Sequence, residues 1–246
     1  MYRRIAALER EVGFACLLRT QGITPAGSEL AALARVTRVS LDQITRRARA
    51  QRQELKGTVT LTTIDGFAPL LVAPIAALVA SHPQLRIDVH ISDAGLSLRR
   101  HQAEIGLSLL ADPPETLVGR RLFPVHWGVF AHRAVDPDQA RWLVLGAPLH
   151  TSWLGAWEKA HVPRDRIALA TPSRRLLVDL VAAGVGIGLL PARLVTAYPE
   201  LVELRGYRPS TAPLTRSAWL LTHADLRHDA RVALVMKELA KYLLQG

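Results

Sequence analysis

Hydrophobic positions recur along the chain with two different periods, and from residue 57 onward the two alternate. Alternating or short apolar runs predict strands at TVTLTTI (58–64), LRIDVHIS (85–92), EIGLSLL (104–110), RWLVL (141–145), RIALAT (166–171), GIGLLP (186–191), LVELRGY (201–207) and SAWLLTH (217–223). LVGRRLF and HWGVFAHR read as two further strands joined by Pro124-Val125. Between them, stripes at helical spacing predict helices over APLLVAPIAALVASHP, over an arginine-bearing stretch after Ser92, over SWLGAWEKA, over the run into Gly184, and over HDARVALVMKELAKYLL. The stripe of the last helix is read as Ala230, Leu234, Leu239 and Leu243, flanked by Met236 and Lys237. Such alternation predicts mostly parallel sheets covered by helices. Two similar groups, split near Ala134, predict two lobes with a cleft between them.

The first fifty-six residues follow another rule. Ile5, Leu8 and Val12 share one face of a short helix, and Gly13 suits its end. Thr24 then stands as N-cap with Pro25 at the first helical position, where its missing N–H costs nothing. Positions 30, 34, 37, 41, 44, 48, 51 and 55 form a weak heptad seam, with most of the arginines lying off it. A helix with one such seam is expected to pair with a copy of itself, the alternative being that it lies on the following domain. Lys56-Gly57 ends it.

LVDLVAAGVGIGLLP places Gly184, Gly186 and Gly188 at alternate positions and so raises a phosphate loop. A dinucleotide loop runs strand, glycines, helix, so that phosphate meets the N–H groups at a helix start. Here the helical stripe of Leu176, Leu177, Leu180, Val181 and Ala183 comes first and the strand afterwards. Gly184 therefore reads as a helix C-terminal cap, and Gly186 and Gly188 as backbone packed closely at a strand.

Charge adds a partner class. The net charge is +10, and residues 1–56 hold eleven Lys and Arg against five Asp and Glu, while the rest of the chain holds twenty against sixteen. A basic end on a nearly balanced body suggests a polyanion such as nucleic acid; the alternative is an arginine-rich protein without special meaning in the excess. No apolar run reaches the roughly eighteen residues of a membrane span, and MYRRIAALEREVG lacks the form of a signal peptide, so the expected address is cytoplasmic, with no membrane partner. Cys16 is alone, and His223 and His228 are five apart, so neither a disulfide nor a metal site is expected, and no cofactor.

In order, RRIAALEREVG, LLRT, TPAGSEL, LKGTVTLTT, SHPQLRIDVHIS and LVAAGVGIGLLP resemble the LysR-type transcriptional regulators, from about Tyr2 to the end of the chain. The resemblance implies a winged helix-turn-helix, a dimerising linker helix and an α/β, two-lobed effector domain like the periplasmic binding proteins. On that pattern residues 1–23 are a remnant of the winged helix-turn-helix (the end of the recognition helix and a short wing), 24–56 the linker and 57–246 the effector domain. The first lobe would take about 57–133 and 218–246, and the second about 134–217. In the family two helices precede the segment matched by YRRIAALEREVG, the wing is longer, and an aromatic usually stands where Leu17 does. The expectation is therefore that this polypeptide binds operator DNA weakly or not at all, because a reading helix is positioned by packing on the other two. Arg3, Arg4, Arg10 and Arg19 would at most neutralise phosphates, or form solvated faces of a frayed helix. Homodimers or homotetramers would assemble through residues 24–55.

Ligands of open α/β sheets bind at the carboxyl ends of strands, where helix N-termini present N–H groups. Three junctions have that form. TTIDGFAP contributes Thr63, Asp65, Gly66 and Phe67; HTSWLG contributes Thr151 and Ser152; ATPSRR contributes Ser173 and Arg174; Ser108 ends a further strand. Ser152 and Ser173 could equally be simple caps, each contributing about 1 kcal/mol. A small anionic or polar metabolite is the expected effector, with the Asp65 carboxylate opposing an anion unless Arg174 or another cation offsets it. An enzyme is not expected, since no GxSxG, HExxH, CxxC or Walker-type loop occurs. Two other readings remain: a small-molecule-binding or interaction protein that dimerises with intact regulators, and a solute-binding protein of a transporter.

Overall fold

A computed structural model describes residues 2–18, 22–34, 37, 55–91 and 103–245. The chain divides into two units, Met1–Arg52 and Gln53–Gly246. Arg19 and most of the heptad seam, including positions 41, 44, 48 and 51, lie outside the described residues, as do the stretch after Ser92 and the side chain of Arg3.

In the first unit, helix α1 (Tyr2–Val12) ends at Gly13, whose φ of 79° is the left-handed conformation that glycine adopts without strain. Glu9, on this helix, accepts the N–H groups of Cys16 (2.7 Å) and Leu17 (3.0 Å). It thereby ties the helix to a hairpin of β1 (Leu17–Leu18) and β2 (Gly22–Ile23), paired Leu17 to Ile23 and Leu18 to Gly22. Thr24 then caps a helix α2, described over 25–34: its Oγ1 accepts Gly27 N–H at 2.9 Å. A Cβ at Gly27 would collide with the Cys16 carbonyl, so this close approach of hairpin and helix requires glycine. Leu8, Phe14, Leu17, Leu18 and Ile23 are all exposed in this unit.

The second unit is built on one continuous path of strands, in the order β4-β3-β5-β11-β6-β9-β7-β8, with β10 also pairing β6. Its first elements are β3 (Gly57–Thr63), a 3₁₀ turn (Asp65–Leu71), α3 (Val72–Ser81), β4 (Leu85–Ile91) and β5 (Ile105–Leu110). The long β6 (Leu117–His132) follows. Then come β7 (Trp142–Leu145), α4 (Trp153–His161), β8 (Ile167–Thr171), α5 (Arg174–Ala182), β9 (Ile187–Pro191), α6 (Ala192–Val195), β10 (Leu201–Glu203), α7 (Arg208–Thr211), β11 (Thr215–His223) and α8 (Ala230–Gln245). Strands β3, β4 and β5 are mutually parallel, as are β7, β8 and β9; β11 and β6 run antiparallel to their neighbours.

Two expectations are corrected. LVGRRLF and HWGVFAHR are not two strands but the single β6. It pairs β11 over residues 117–126 and β9 over 127–131. Pro124 is tolerated inside it because β6 pairs only β11 there, the β9 pairing starting at Trp127, so the strand has a free edge at the proline. The pairing thus sorts the sheet into two groups that meet where β6 changes partner, between His126 and Trp127. In α8 the buried stripe is Val232, Val235, Leu239, Ala240 and Leu243, so the start of the expected stripe is displaced around the helix while Leu239 and Leu243 stand. The helix begins beside Arg231, which is buried in an ion-pair network and turns the first residues accordingly.

Around Gly184 the expectation holds. Its φ is 76°, its N–H bonds the Val181 carbonyl, and Val185 N–H reaches back to Leu180, the Schellman closure of a helix. A Cβ at Gly186 would collide with the Arg141 carbonyl, and one at Gly188 would lie 3.2 Å from the Leu143 carbonyl. These glycines pack β9 against the β7 backbone and cradle nothing. The core is continuous through both groups of strands, with Leu61, Ile105, Leu107 and Leu220 in one and Trp142, Leu143, Leu154, Leu177 and Leu189 in the other.

Candidate functional site

The carboxyl end of β3 faces the N-terminus of α5 across the two groups of strands. Thr63, the last residue of β3, is buried and donates its hydroxyl to the Leu107 carbonyl of β5 (3.2 Å), which fixes the end of the strand. Asp65 follows and reaches over to the other group: its Oδ2 accepts the Ser173 hydroxyl (2.6 Å) and the Arg175 N–H (3.0 Å). Ser173 is at the same time the N-cap of α5, accepting Leu176 N–H at 3.0 Å. One carboxylate therefore completes the capping of a helix in the opposite lobe, where unpaired N–H groups and the helix dipole favour negative charge.

Gly66 lies beside this contact. A Cβ there would stand 3.3 Å from Leu194 and 3.5 Å from the Cβ of Arg174, ordinary to tight contact with two residues of the second lobe. Arg174 is itself buried. Asp65, Gly66, Ser173 and Arg174, taken from two distant stretches of sequence, are thus brought together. Phe67 is a core residue at 3% exposure and meets Phe123 edge-on, with ring centroids 6.2 Å apart.

The other expected residues make local contacts. Thr151 donates its hydroxyl to the Pro148 carbonyl (2.9 Å), and Ser152 caps α4 by accepting Gly155 N–H (3.3 Å). Ser108 is half-buried in β5 opposite Trp219 of β11. In the first unit Arg4 and Arg10 are exposed on α1, and Arg10 Nε donates to the Ala6 carbonyl (3.2 Å).

Several residues at the junction carried no signal in the local sequence. The Arg193 guanidinium lies over the Phe123 ring at 3.9 Å, and that of Arg216 over Trp153 at 4.5 Å. Trp153 meets Trp127 edge-on at 5.9 Å, just where β6 changes partner. The Trp127 Nε1 is buried with no hydrogen-bond partner among the described residues. Next to them Pro69, Leu70, Arg175, Arg193, Leu194 and Tyr198 line a cavity of about 160 Å³ between the two lobes. Tyr198 donates its hydroxyl to Asp179, which also accepts Arg175 Nε (2.9 Å). These pairs hold the Asp179 carboxyl below its ordinary range against the opposing effect of desolvation. The junction thus offers aromatic faces and guanidinium groups, with the carboxylates of Asp65 and Asp179 already engaged; it contains the parts of a binding site.

Comparison with known proteins fits this architecture. Residues 52–243 match the LysR substrate binding domain family. The Mau operon transcriptional activator of Paracoccus denitrificans is 26% identical over 234 residues, covering 92% of this chain and 80% of that protein. Among solved structures, CrgA, a LysR-type transcriptional regulator from Neisseria meningitidis, superposes with a TM-score of 0.61 at 20% identity, over 98% of this chain and 88% of its own. AphB, the Vibrio cholerae virulence activator of the same family, gives 0.65 at 16% identity, over 98% and 88%. The fold of the second unit is accordingly the two-lobed, periplasmic-binding-protein-like fold of LysR effector domains. Because the family match spans most of the chain and falls on the lobes just described, the protein belongs to the LysR-type transcriptional regulators and is not an enzyme.

Proposed function

We propose that this regulator senses a small polar or anionic metabolite in the crevice between its lobes, and that the crevice residues are Thr63, Asp65, Gly66, Phe67, Ser108, Thr151, Ser152, Ser173 and Arg174. The observation that carries the reading is the Asp65 carboxylate resting on the Ser173 hydroxyl and Arg175 N–H. An acidic group of an effector would compete for the same donors, and the guanidinium groups of Arg174, Arg193 and Arg216 favour that charge. Binding would exchange an internal contact for an external one and so shift the lobes relative to each other. Residues 24–55 would join two copies as a dimer, or as part of a tetramer, in the cytoplasm. Among the described residues no helix is long and apolar enough to cross a membrane.

Arg3, Arg4, Arg10 and Arg19 would contribute phosphate contacts, which give affinity without sequence information. The polypeptide 1–246 would then bind DNA weakly, with a steep dependence on salt; sequence-selective nanomolar binding in a salt titration contradicts this. The effector site is tested by calorimetry against a panel of small carboxylates, comparing the chain with Ser152→Ala and Ser173→Ala. Removing the Ser173 hydroxyl should weaken the responding carboxylate by about tenfold. Affinity unchanged in both variants refutes the site.

A further inference from the structure

We propose that the second lobe carries a separate small-molecule site, in the groove between α4 and strands β7 and β8, which takes a short apolar carboxylate bearing a hydrogen-bond donor at its far end. The groove is a cavity of about 270 Å³. Val144, Leu145 and Val162, all buried, and half-buried Ile167 give it apolar walls. Glu158 also lines it, and is only 6% exposed. Two cationic side chains, Lys159 and Arg164, stand exposed around it beside the imidazole of His150. The arrangement is amphipathic in one direction: positive rim, apolar wall, buried acid.

Glu158 supplies the second specificity. Both of its oxygens accept the one N–H of Leu145, at 3.2 and 3.1 Å. A carboxylate offers about four acceptor sites, so a shared N–H leaves capacity for a donor entering by the groove. Burial pushes the Glu158 carboxyl up to about 7, against the Leu145 hydrogen bond and the nearby Arg174 of α5, which both lower it. A ligand hydroxyl donating to it stabilises the ionised form, and the displaced proton passes to solvent. Arg174 from α5 is the charged group that acts on Glu158, while His150 from the turn before α4, Lys159 on its own helix and Arg164 from the turn before β8 line the groove around it. All of these are basic, so a cationic ligand is repelled at the rim and an anionic head is held there.

None of the residues lining this groove is among those assigned to the inter-lobe crevice. Calorimetry and amide NMR on the full chain test it with 6-hydroxyhexanoate, with hexanoate, which lacks the donor, and with 6-amino-1-hexanol, which has the opposite charge. The expected result is saturable binding of 6-hydroxyhexanoate, about tenfold tighter than hexanoate, with proton release near pH 6 and no binding of the amine. Amide shifts should centre on Val144, Leu145, Glu158 and Val162. Glu158→Gln should narrow the gap between the two carboxylates and abolish the proton release. Val162→Trp, which fills the groove, should remove both; if it fails to fold, Lys159→Glu at the exposed rim should weaken both carboxylates. No saturable binding, equal affinity for the two carboxylates, or shifts centred on Asp65 and Ser173 would overturn the assignment.

Discussion

Replacing Asp65 by alanine removes a carboxylate that joins the two lobes at the start of α5. The structure allows the loss to be sized. Two charge-assisted hydrogen bonds disappear, from the Ser173 hydroxyl at 2.6 Å and from Arg175 N–H at 3.0 Å. Each would be worth about 1.5–3 kcal/mol in a dry site, but Asp65 is half-buried, and water can replace part of each bond. About 1 kcal/mol for each, with a few tenths more from the helix dipole, gives roughly 2 kcal/mol. Such a change multiplies the population in which the contact is open by about thirtyfold. Amide hydrogen exchange followed by NMR reads this directly, since Arg175 N–H is protected by Asp65, while Leu176 N–H is protected by Ser173. In Asp65→Ala, exchange at Arg175 should accelerate by about thirtyfold and at Leu176 by less, because Ser173 still caps the helix. Asp65→Asn, which keeps an acceptor oxygen without the charge, should fall between. Gly155, capped by Ser152 in α4, should be unaffected. If Arg175 exchanges at the same rate with and without the carboxylate, Asp65 does not hold the lobes, and the reading of the crevice fails with it.

Three other outcomes follow from the same geometry. Because burial raises Glu158 from its ordinary 4.5 to about 7, the folded chain binds its proton more tightly than the unfolded chain does. Stability should therefore fall as pH rises between those values, by up to about 3 kcal/mol, and level off above; urea unfolding at pH 5 and pH 8 should lose this difference in Glu158→Gln. Arg231 is buried, with Nη2 2.5 Å from Asp229 and 3.9 Å from Glu104, and Nη1 3.1 Å from the Thr58 carbonyl. Arg231→Met strands two buried carboxylates and should cost about 3–5 kcal/mol in chemical denaturation; a loss below one would show that they are hydrated or protonated. Gly184→Ala has room for its methyl, the nearest atom being 3.6 Å away, but must keep a φ of 76°. A loss of about 1 kcal/mol in thermal unfolding is expected from backbone strain alone.

Local signals in the sequence suffice where a single segment decides the outcome. Thr24 and Pro25 mark a helix start because a cap needs only its own next turn. Gly184 marks a helix end because a positive φ is a property of one residue. The order helix, glycines, strand argues against a phosphate loop from the sequence alone. At Pro124 local signals do not suffice: a proline breaks a strand only where both edges are used, and edge occupancy belongs to the sheet. The displaced stripe of α8 has the same origin, since Arg231 counts as polar in any pattern until its partners Asp229 and Glu104 are seen to bury it.

The sequence by itself determined the alternation of strands and helices, the basic character of the first fifty-six residues, and which turns could present N–H groups to a ligand. Those follow from periodicity, charge and capping, all of which act over a few residues. Tertiary structure alone decided that Asp65 meets Ser173, that Arg193 and Arg216 lie on aromatic rings, and that Glu158 shares a groove with Lys159 and Arg164. Each of these joins groups far apart along the chain, or depends on how deeply a charge is buried. Neither separation in space nor depth is written in the order of residues; both arise only when the sheet fixes which strand ends lie side by side.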